Sequence, residues 1–227
     1  MMKGRLNTYT SRYYELTQYG KKHGLLFSKN NCRPSLFINN VTIASRSSNM
    51  GWFQELHDDW LPHVVKAHRP KCKLYWKAMK AFIEKDFASS YTYFSSFQQE
   101  NHDDLLEIKV RIRMLACSYE LDKDGIDSRI EADERYLYRK DSVGERYRQN
   151  GKRFISKLKQ IRKLMPGNEA KLAQLQKAIL EEPGALASWL LQKSDEAFEN
   201  KTGPIYEYEK RLSKWGDGNP DDANLSQ

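Results

Sequence analysis

The stretch from Cys72 to Leu121 constrains the fold more than any other part of the chain. Its apolar side chains recur every three or four residues, first at Leu74, Ala78 and Phe82 and then at Phe87, Tyr91, Phe94 and Phe97. Rows of this period are typical of the buried side of an amphipathic helix. The stretch therefore predicts three consecutive helices, KLYWKAMKAFIEKD, FASSYTYFSSFQQ and DDLLEIKVRIRMLACSYEL.

The third of these segments also carries a strand pattern. Residues 107–114 alternate between charged and apolar side chains, which is typical of a half-exposed strand. The same segment fits two helical rows, one through Leu105, Ile108 and Ile112 and one through Leu106, Val110 and Met114. Because the unbroken run is long for a strand, we expect a helix buried on two sides.

The rest of the chain can be divided into helices of similar length. They are predicted at residues 5–22, after Pro34, after the capping residue Asn49, after residue 126, after the capping box that starts at Ser142, after Asn168 and around Trp189. First helices of successive pairs start near residues 35, 71, 104 and 142, a period typical of helix-pair repeats. An alternative interpretation of residues 36–43 is a β-hairpin in which LFI and VTI are the strands and the two asparagines between them are the turn. The pattern predicts an all-α solenoid of stacked antiparallel helix pairs over residues 1–200, followed by a partly disordered tail over 201–227.

The run FIEKDFASSYTYFSSF resembles the turn and second helix of a tetratricopeptide repeat. Lys85-Asp86-Phe87 stands where that family has a Gly-Asp-Tyr turn, Ser90 and Phe94 match its small and aromatic positions, and Ala78 matches the small residue of the first helix. The chain departs from the family in lacking the turn glycine and the closing proline, and in having Phe97 at a usually small position. The part from Arg111 to Trp189 resembles helical-repeat proteins of an uncharacterised bacterial type. The resemblance implies a superhelix of helix pairs and an adaptor or scaffold role.

Composition narrows the class of protein. A hydrophobic content of 39% with a mean hydropathy of −0.81 suits thin stacked layers better than one deep core. Three scattered cysteines argue against a disulfide framework and for a reducing compartment. The N-terminus shows no apolar signal region, and no run is long and apolar enough for a membrane span. We therefore expect a cytoplasmic protein without a membrane partner.

Candidate chemical sites are weak. His57, His63, His68 and Cys72 include metal-ligand residue types, but a proline interrupts the run and the spacings are wide. DKDGID is similar to a calcium loop with its glycine two residues early and its closing glutamate absent. Phosphate-binding glycine loops and nucleophile motifs are missing. We therefore expect no metal, no cofactor and no catalysis, although an active site assembled from distant residues would leave no local motif.

Two cationic features suggest binding. Grooves between stacked helix pairs bind extended peptides or partner helices, and the polar groups expected on first helices could attract an acidic or C-terminal carboxylate ligand: Lys77, Lys80, Lys109 and Arg113. Residues 135–163 hold 11 basic and 2 acidic residues, a net +9, whereas the rest of the chain holds 27 and 28, a net −1. This segment supports an alternative nucleic-acid site at Arg135, Arg139, Arg146, Arg148, Lys152 and Arg153, or a solvated helix surface.

Overall fold

The computed structural model of the chain describes residues 2–27, 31–47, 49–99, 104–121, 125–139, 144–182 and 184–199. In these ranges the protein is all-α, with a single isolated bridge between Cys32 and Val64. The ten α-helices are α1 (Met2–Lys22), α2 (Pro34–Ala44), α3 (Met50–Glu55), α4 (Arg69–Ile83), α5 (Phe87–Gln99), α6 (Asp104–Glu120), α7 (Ile126–Arg139), α8 (Glu145–Arg162), α9 (Glu169–Glu181) and α10 (Ala187–Glu199). No helix in these ranges is long and apolar enough to cross a membrane.

The chain divides into two compact units, Met1–Arg148 and Gln149–Gln227. The sequence predicted one helical-repeat domain over residues 1–200, and the contacts divide that range after residue 148. The predicted tail, residues 201–227, lies outside the described residues, as do the first two residues of the capping box that starts at Ser142.

Helix α2 confirms the helical interpretation of residues 36–43. Pro34 occupies the first turn, where its missing N–H costs no hydrogen bond, and Phe37 and Val41 are fully buried. Asn49 caps α3 as predicted, because its Oδ1 accepts a hydrogen bond of 3.0 Å from the Trp52 backbone N–H. A π-helical turn, Leu56–Trp60, and a 3-10 turn, Leu61–His63, continue α3 to Pro62 and keep Trp60 buried.

The apolar spacing within residues 5–22 predicts an inner side of α1 that includes Tyr9, Tyr13 and Leu16. This prediction is wrong for Tyr9 and Leu16, which are exposed, Leu16 by 69%. The buried positions are instead Thr10, Thr17 and Gly20, and the Thr17 hydroxyl donates a 2.7 Å hydrogen bond to the Tyr13 carbonyl within the helix. Polar side chains that form hydrogen bonds within their own helix can be buried, and an apolar pattern in the sequence does not predict their burial.

Lys85 and Asp86 form the turn between α4 and α5. Lys85 has a φ of +62°, the left-handed conformation that a glycine would adopt without strain. Asp86 follows it and caps α5, since its Oδ1 accepts from the Ser89 N–H at 3.0 Å. One turn later the buried Ser90 donates from Oγ to the Ala78 carbonyl at 3.0 Å. The two small side chains therefore allow α4 and α5 to approach closely.

Helix α6 confirms the helical interpretation of residues 107–114. The described side chains of both predicted rows are buried, namely Leu106, Ile108, Val110, Ile112 and Met114, while that of Leu105 lies outside the described residues. Val110 and Met114 belong to the core cluster of the first unit, which is built around Trp52, Trp60, Tyr75, Phe94 and Phe97. The alternating charge pattern reflects a helix whose charged side chains also find partners inside the fold.

The second unit contains most of α8, with α9 and α10. Its core contains Phe154, Leu158, Ile161, Leu175, Ile179, Trp189 and Leu190. Asn168 caps α9 as predicted, accepting from the Lys171 N–H at 3.1 Å. The apolar spacing that follows the capping box predicts that Tyr147, Phe154, Leu158, Ile161 and Met165 face inward. This prediction is wrong for Tyr147, in the first unit, and for Met165, the first and last residues of the row, because both are exposed.

Candidate functional site

A row of lysines lies on the exposed surface of α4. Lys73, Lys77 and Lys80 are spaced four and three residues apart, so they share one side of the helix. Lys80 pairs with Glu84 at 3.8 Å in an exposed ion pair, which contributes little to stability and leaves its charge accessible. The sequence prediction included Lys77 and Lys80 but missed Lys73, although the helical spacing of the three lysines was visible.

Aromatic rings lie beneath two of these lysines. Lys77 Nζ is 5.8 Å from the centroid of the Tyr93 ring on α5, and Lys80 Nζ is 5.4 Å from that of Trp76. Trp76 is held in turn by a 3.0 Å hydrogen bond to the Phe53 carbonyl and by stacking on the Phe53 ring. Contacts with fixed rings restrict the lysine side chains, so less entropy is lost when a ligand binds them.

The other two predicted contact residues lie against different neighbours. Lys109 donates to Asn39 Oδ1 of α2 at 3.3 Å, and its Nζ is 6.0 Å from the centroid of the Tyr147 ring. Arg113 is only 5% exposed and donates from Nη1 to the Lys109 carbonyl at 3.0 Å. The expectation that all four residues lie outside the packing is therefore wrong for Arg113, whose long apolar stem packs in the interior.

A charged network that the sequence did not reveal joins α6 to α7. Arg111 contacts Glu107 and Asp133, each at 2.8 Å, and its guanidinium carbon lies 4.0 Å from the centroid of the Tyr136 ring. The Tyr136 hydroxyl donates to Glu107 Oε2 at 2.7 Å. Arg129, one turn from Asp133, donates to the Tyr91 hydroxyl of α5 at 2.7 Å. Two arginines thus face two carboxylates, and the network has no net charge.

The pKa values in this network follow from burial and from these contacts. Burial alone would raise the pKa of Glu107, but hydrogen bonds from Tyr136 and Arg111 outweigh it and hold that pKa below its ordinary value. Burial dominates for Asp133 and raises its pKa despite the ion pair with Arg111. Burial opposes the charge of Arg111, yet the two carboxylates raise its pKa. Arg129 Nε and Asp133 Oδ2 lie 3.8 Å apart and are buried without a hydrogen bond, but the four charges neutralise one another. We therefore interpret the network as a structural contact between α5, α6 and α7.

The basic segment is less uniform than its sequence suggests. In the first unit Arg135, Arg139 and Arg146 are exposed, whereas Arg148 pairs with Glu145 one turn away. Tyr138, between Arg135 and Arg139 in the chain, is 76% exposed. This combination of accessible guanidinium groups and an accessible ring is suited to a polyanion.

In the second unit the segment serves partly as a structural element. Arg153 pairs with Glu182 at 3.1 Å, and Lys152 is half-buried. Lys157 is 7% exposed and donates from Nζ to the carbonyls of Ala178 and Glu182, at 2.9 and 2.8 Å. It thereby satisfies carbonyl groups at the end of α9, a role that places it among the structural residues.

Of the four residues weighed as metal ligands, His57 and His63 contact other side chains. His57 lies 4.3 Å from the Trp76 ring, centroid to centroid, and its Nδ1 is 2.8 Å from Asp58 Oδ1, while His63 stacks on Phe27. Burial raises the pKa of Cys72 to about 12 and that of Cys32 to about 11, which makes both thiols poor nucleophiles. The described ranges hold no cluster of three metal-ligating side chains. Of the six residues that resemble a calcium loop, residues 122–124 lie outside those ranges.

Comparisons with protein-family models, with curated proteins and with solved structures gave no match to this chain.

Proposed function

We propose that this protein is a non-catalytic scaffold that binds an acidic segment of a partner protein along the lysine row of α4. The observation that carries the proposal is the row itself: three accessible cations on one side of a helix, two of them over aromatic rings. Such a surface steers an acidic ligand by long-range attraction and then offers it apolar contacts.

The proposed architecture is a divergent tetratricopeptide-like solenoid formed by α2 to α7 of the first unit. Helices α2, α4 and α6 begin at residues 34, 69 and 104, two intervals of 35 residues. A regular interval of this length supports repetition of a helix pair. The left-handed turn at Lys85 and the Ser90–Ala78 contact lend further support, because they occupy the positions that carried the family resemblance. All three cysteines are buried and none of them forms a disulfide within the described residues, which fits the proposed cytoplasmic location.

A selection experiment tests this function. The full-length protein is panned against a display library of random peptides, and enriched peptides are titrated against wild type and the Lys77→Gln/Lys80→Gln double variant. We expect Asp- and Glu-rich peptides that bind the double variant about tenfold more weakly, since two exposed charge contacts are lost. The matched control is Lys171→Gln/Lys177→Gln on the exposed surface of α9. Enrichment of basic or uncharged peptides, or equal loss in both variants, would refute the proposal.

A second candidate function is nucleic-acid binding by the basic segment, which the exposed ring of Tyr138 beside Arg135 and Arg139 favours. It predicts that single-stranded RNA binds with a steep salt dependence. The variant Arg146→Glu/Arg148→Glu/Lys152→Glu/Arg153→Glu should then bind poorly in a gel-shift assay. An unchanged shift with this variant would exclude the segment.

A further inference from the structure

Helix α1 carries an apolar row on its exposed surface. Tyr9, Leu16 and Tyr19 are seven and three residues apart, so they share one side of the helix. They are exposed by 59%, 69% and 59%, and Leu25, just after the helix, is exposed by 71%. The apolar spacing of Tyr9 and Leu16 predicted burial, but the described part of the chain does not cover them. Contiguous apolar surface of this kind is typical of an interaction site.

A different side of α1 packs against the fold. Thr10, Thr17 and Gly20 are buried. Lys21, next to this buried side, pairs through its Nζ with Glu55 of α3 at 2.8 Å. The helix cannot turn its apolar row inward without breaking these contacts. The row is therefore available to a partner of the folded protein.

The side chains of the apolar row are held in place by their neighbours. The ring of Tyr9 lies 6.2 Å from that of Tyr13, and the ring of Tyr19 lies 4.2 Å from that of His23, centroid to centroid. The backbone N–H of Leu25 donates to a carbonyl of the last helical turn at 2.8 Å, which keeps this residue beside the helix. Side chains that are already restricted lose less entropy when a partner binds them.

Two charged residues beside the row indicate which partner fits it. Glu15 and Lys22 are exposed, lie seven residues apart on one side of α1 and make no ion pair with the described part of the chain. If a second copy of α1 crosses the row in the antiparallel direction, with the twofold axis near residue 18, Glu15 of one copy faces Lys22 of the other. The symmetry repeats this pair, so two charge pairs flank the contact.

The same register matches the rest of the row. Leu16 of one copy faces Tyr19 of the other, and Tyr9 reaches the last turn of the second helix. Arg12 faces the imidazole ring of His23, on which a guanidinium group can stack. Parallel helices would instead place Arg12 against Arg12 of the second copy, where like charges repel each other. The charges of α1 therefore favour an antiparallel copy of the same helix.

We propose that the apolar row of α1 is a dimer interface, covered by α1 of a second copy of this chain in the antiparallel register. The exposed parts of the four apolar side chains amount to about 500 Å² in each copy. Two copies together would bury about 1,000 Å², at the lower limit of specific interfaces. The expected dimer is therefore weak and forms at high protein concentration. The interface involves none of the residues of the lysine row and goes beyond the proposed scaffold function.

Sedimentation equilibrium of the full-length protein, from micromolar to near-millimolar concentration, tests the dimer. We expect the average mass to rise from the 26.7 kDa of one chain towards twice that value. Leu16→Glu should weaken association about tenfold or more, because a charge replaces an apolar contact that the symmetry repeats. The matched control is Leu180→Glu, at an exposed leucine of α9, which should associate as wild type does.

Two results of this experiment would overturn the proposal. One is a wild-type mass that stays at that of a single chain, which would leave the row to another protein or to another part of this chain. The other is equal association of Leu16→Glu and Leu180→Glu. Because Leu16 is exposed, its variant should keep the circular dichroism spectrum of wild type.

Exchanged charges test the antiparallel register. Glu15→Lys and Lys22→Glu should each associate more weakly than wild type, because like charges then face each other across the contact. An equimolar mixture of the two variants should associate more strongly than either variant alone, because one helix then carries two cations and the other two anions. A mixture that associates no better than the separate variants would contradict the assignment.

Discussion

Replacement of Ser90 by leucine tests the packing of helices on which the proposed scaffold depends. Ser90 is fully buried where three helices meet: its Oγ donates to the Ala78 carbonyl of α4 at 3.0 Å, and the Cys117 thiol of α6 lies 3.5 Å from the same oxygen. Ala78 is also fully buried. A larger side chain at position 90 must therefore displace α4, α6 or both.

The expected cost combines two effects. Loss of one buried hydrogen bond costs about 1 kcal/mol. Insertion of a side chain into a closely packed place without free volume costs a further ~1–3 kcal/mol. We therefore expect the free energy of unfolding to fall by about 2–4 kcal/mol in Ser90→Leu. The variant Ser90→Ala, which removes only the hydroxyl group, should lose about 1 kcal/mol.

Urea unfolding followed by circular dichroism at 222 nm measures these changes. With a slope of about 2 kcal/mol per molar urea, Ser90→Leu should lower the midpoint by about 1–2 M. Thr92→Leu, at an exposed position of the same helix, should leave the midpoint unchanged or raise it slightly, because leucine has the higher helix propensity. If the two leucine variants unfolded within about 0.5 kcal/mol of each other, the close approach of α4 and α5 would be refuted.

Three further predictions follow from single residues. Lys157→Met should destabilise the second unit by about 2 kcal/mol. Two carbonyls at the end of α9 lose a charged donor, and this loss outweighs the saving from no longer burying an ammonium group. Faster amide exchange near the end of α9 would show the destabilisation, and unchanged exchange would contradict it. Glu107→Gln should lower the free energy of unfolding by about 1–2 kcal/mol at pH 7. Because the pKa of Glu107 in the folded protein lies below its ordinary 4.5, this difference between wild type and variant should persist above pH 4.5 and vanish as the pH falls through the lower folded pKa. A difference that stays constant from pH 7 to pH 3 in urea titrations would refute this prediction. Lys85→Gly should stabilise the protein by about 0.5 kcal/mol, because glycine adopts the left-handed backbone conformation at this position without strain. The control Lys73→Gly, inside α4, should destabilise it by about 1 kcal/mol. Equal shifts of the melting temperature in the two variants would contradict the prediction.

The helices could be predicted because their signals are local. Apolar period, capping asparagines and an early proline were sufficient to place α2, α3 and α9. Residues 107–114 left strand and helix open, because alternating charges fit both periods. In the structure these residues form a helix that is buried on two sides, and its arginines donate hydrogen bonds to groups within the fold.

The environment of the charged residues could not be predicted. Glu107 and Arg111 are four residues apart, a spacing visible in sequence, but Asp133 joins them from 22 residues away along the chain. Lys157 likewise meets acceptors 21 and 25 residues away. Charge composition assigns such residues to a solvated surface, whereas tertiary contacts decide which of them are buried. The burial of Arg113 is a tertiary effect of this kind.

Recognition of an acidic segment by the α4 lysine row can be tested by exchanging charge on both sides of the contact. Fluorescence anisotropy measures binding of a selected Glu-rich peptide, and of its Lys-substituted counterpart, to wild type and to Lys77→Glu/Lys80→Glu. We expect the acidic peptide to bind wild type but not the double variant, and the Lys-substituted peptide to bind the variant better than it binds wild type. Equal affinity of the acidic peptide for both proteins would contradict recognition by the lysine row.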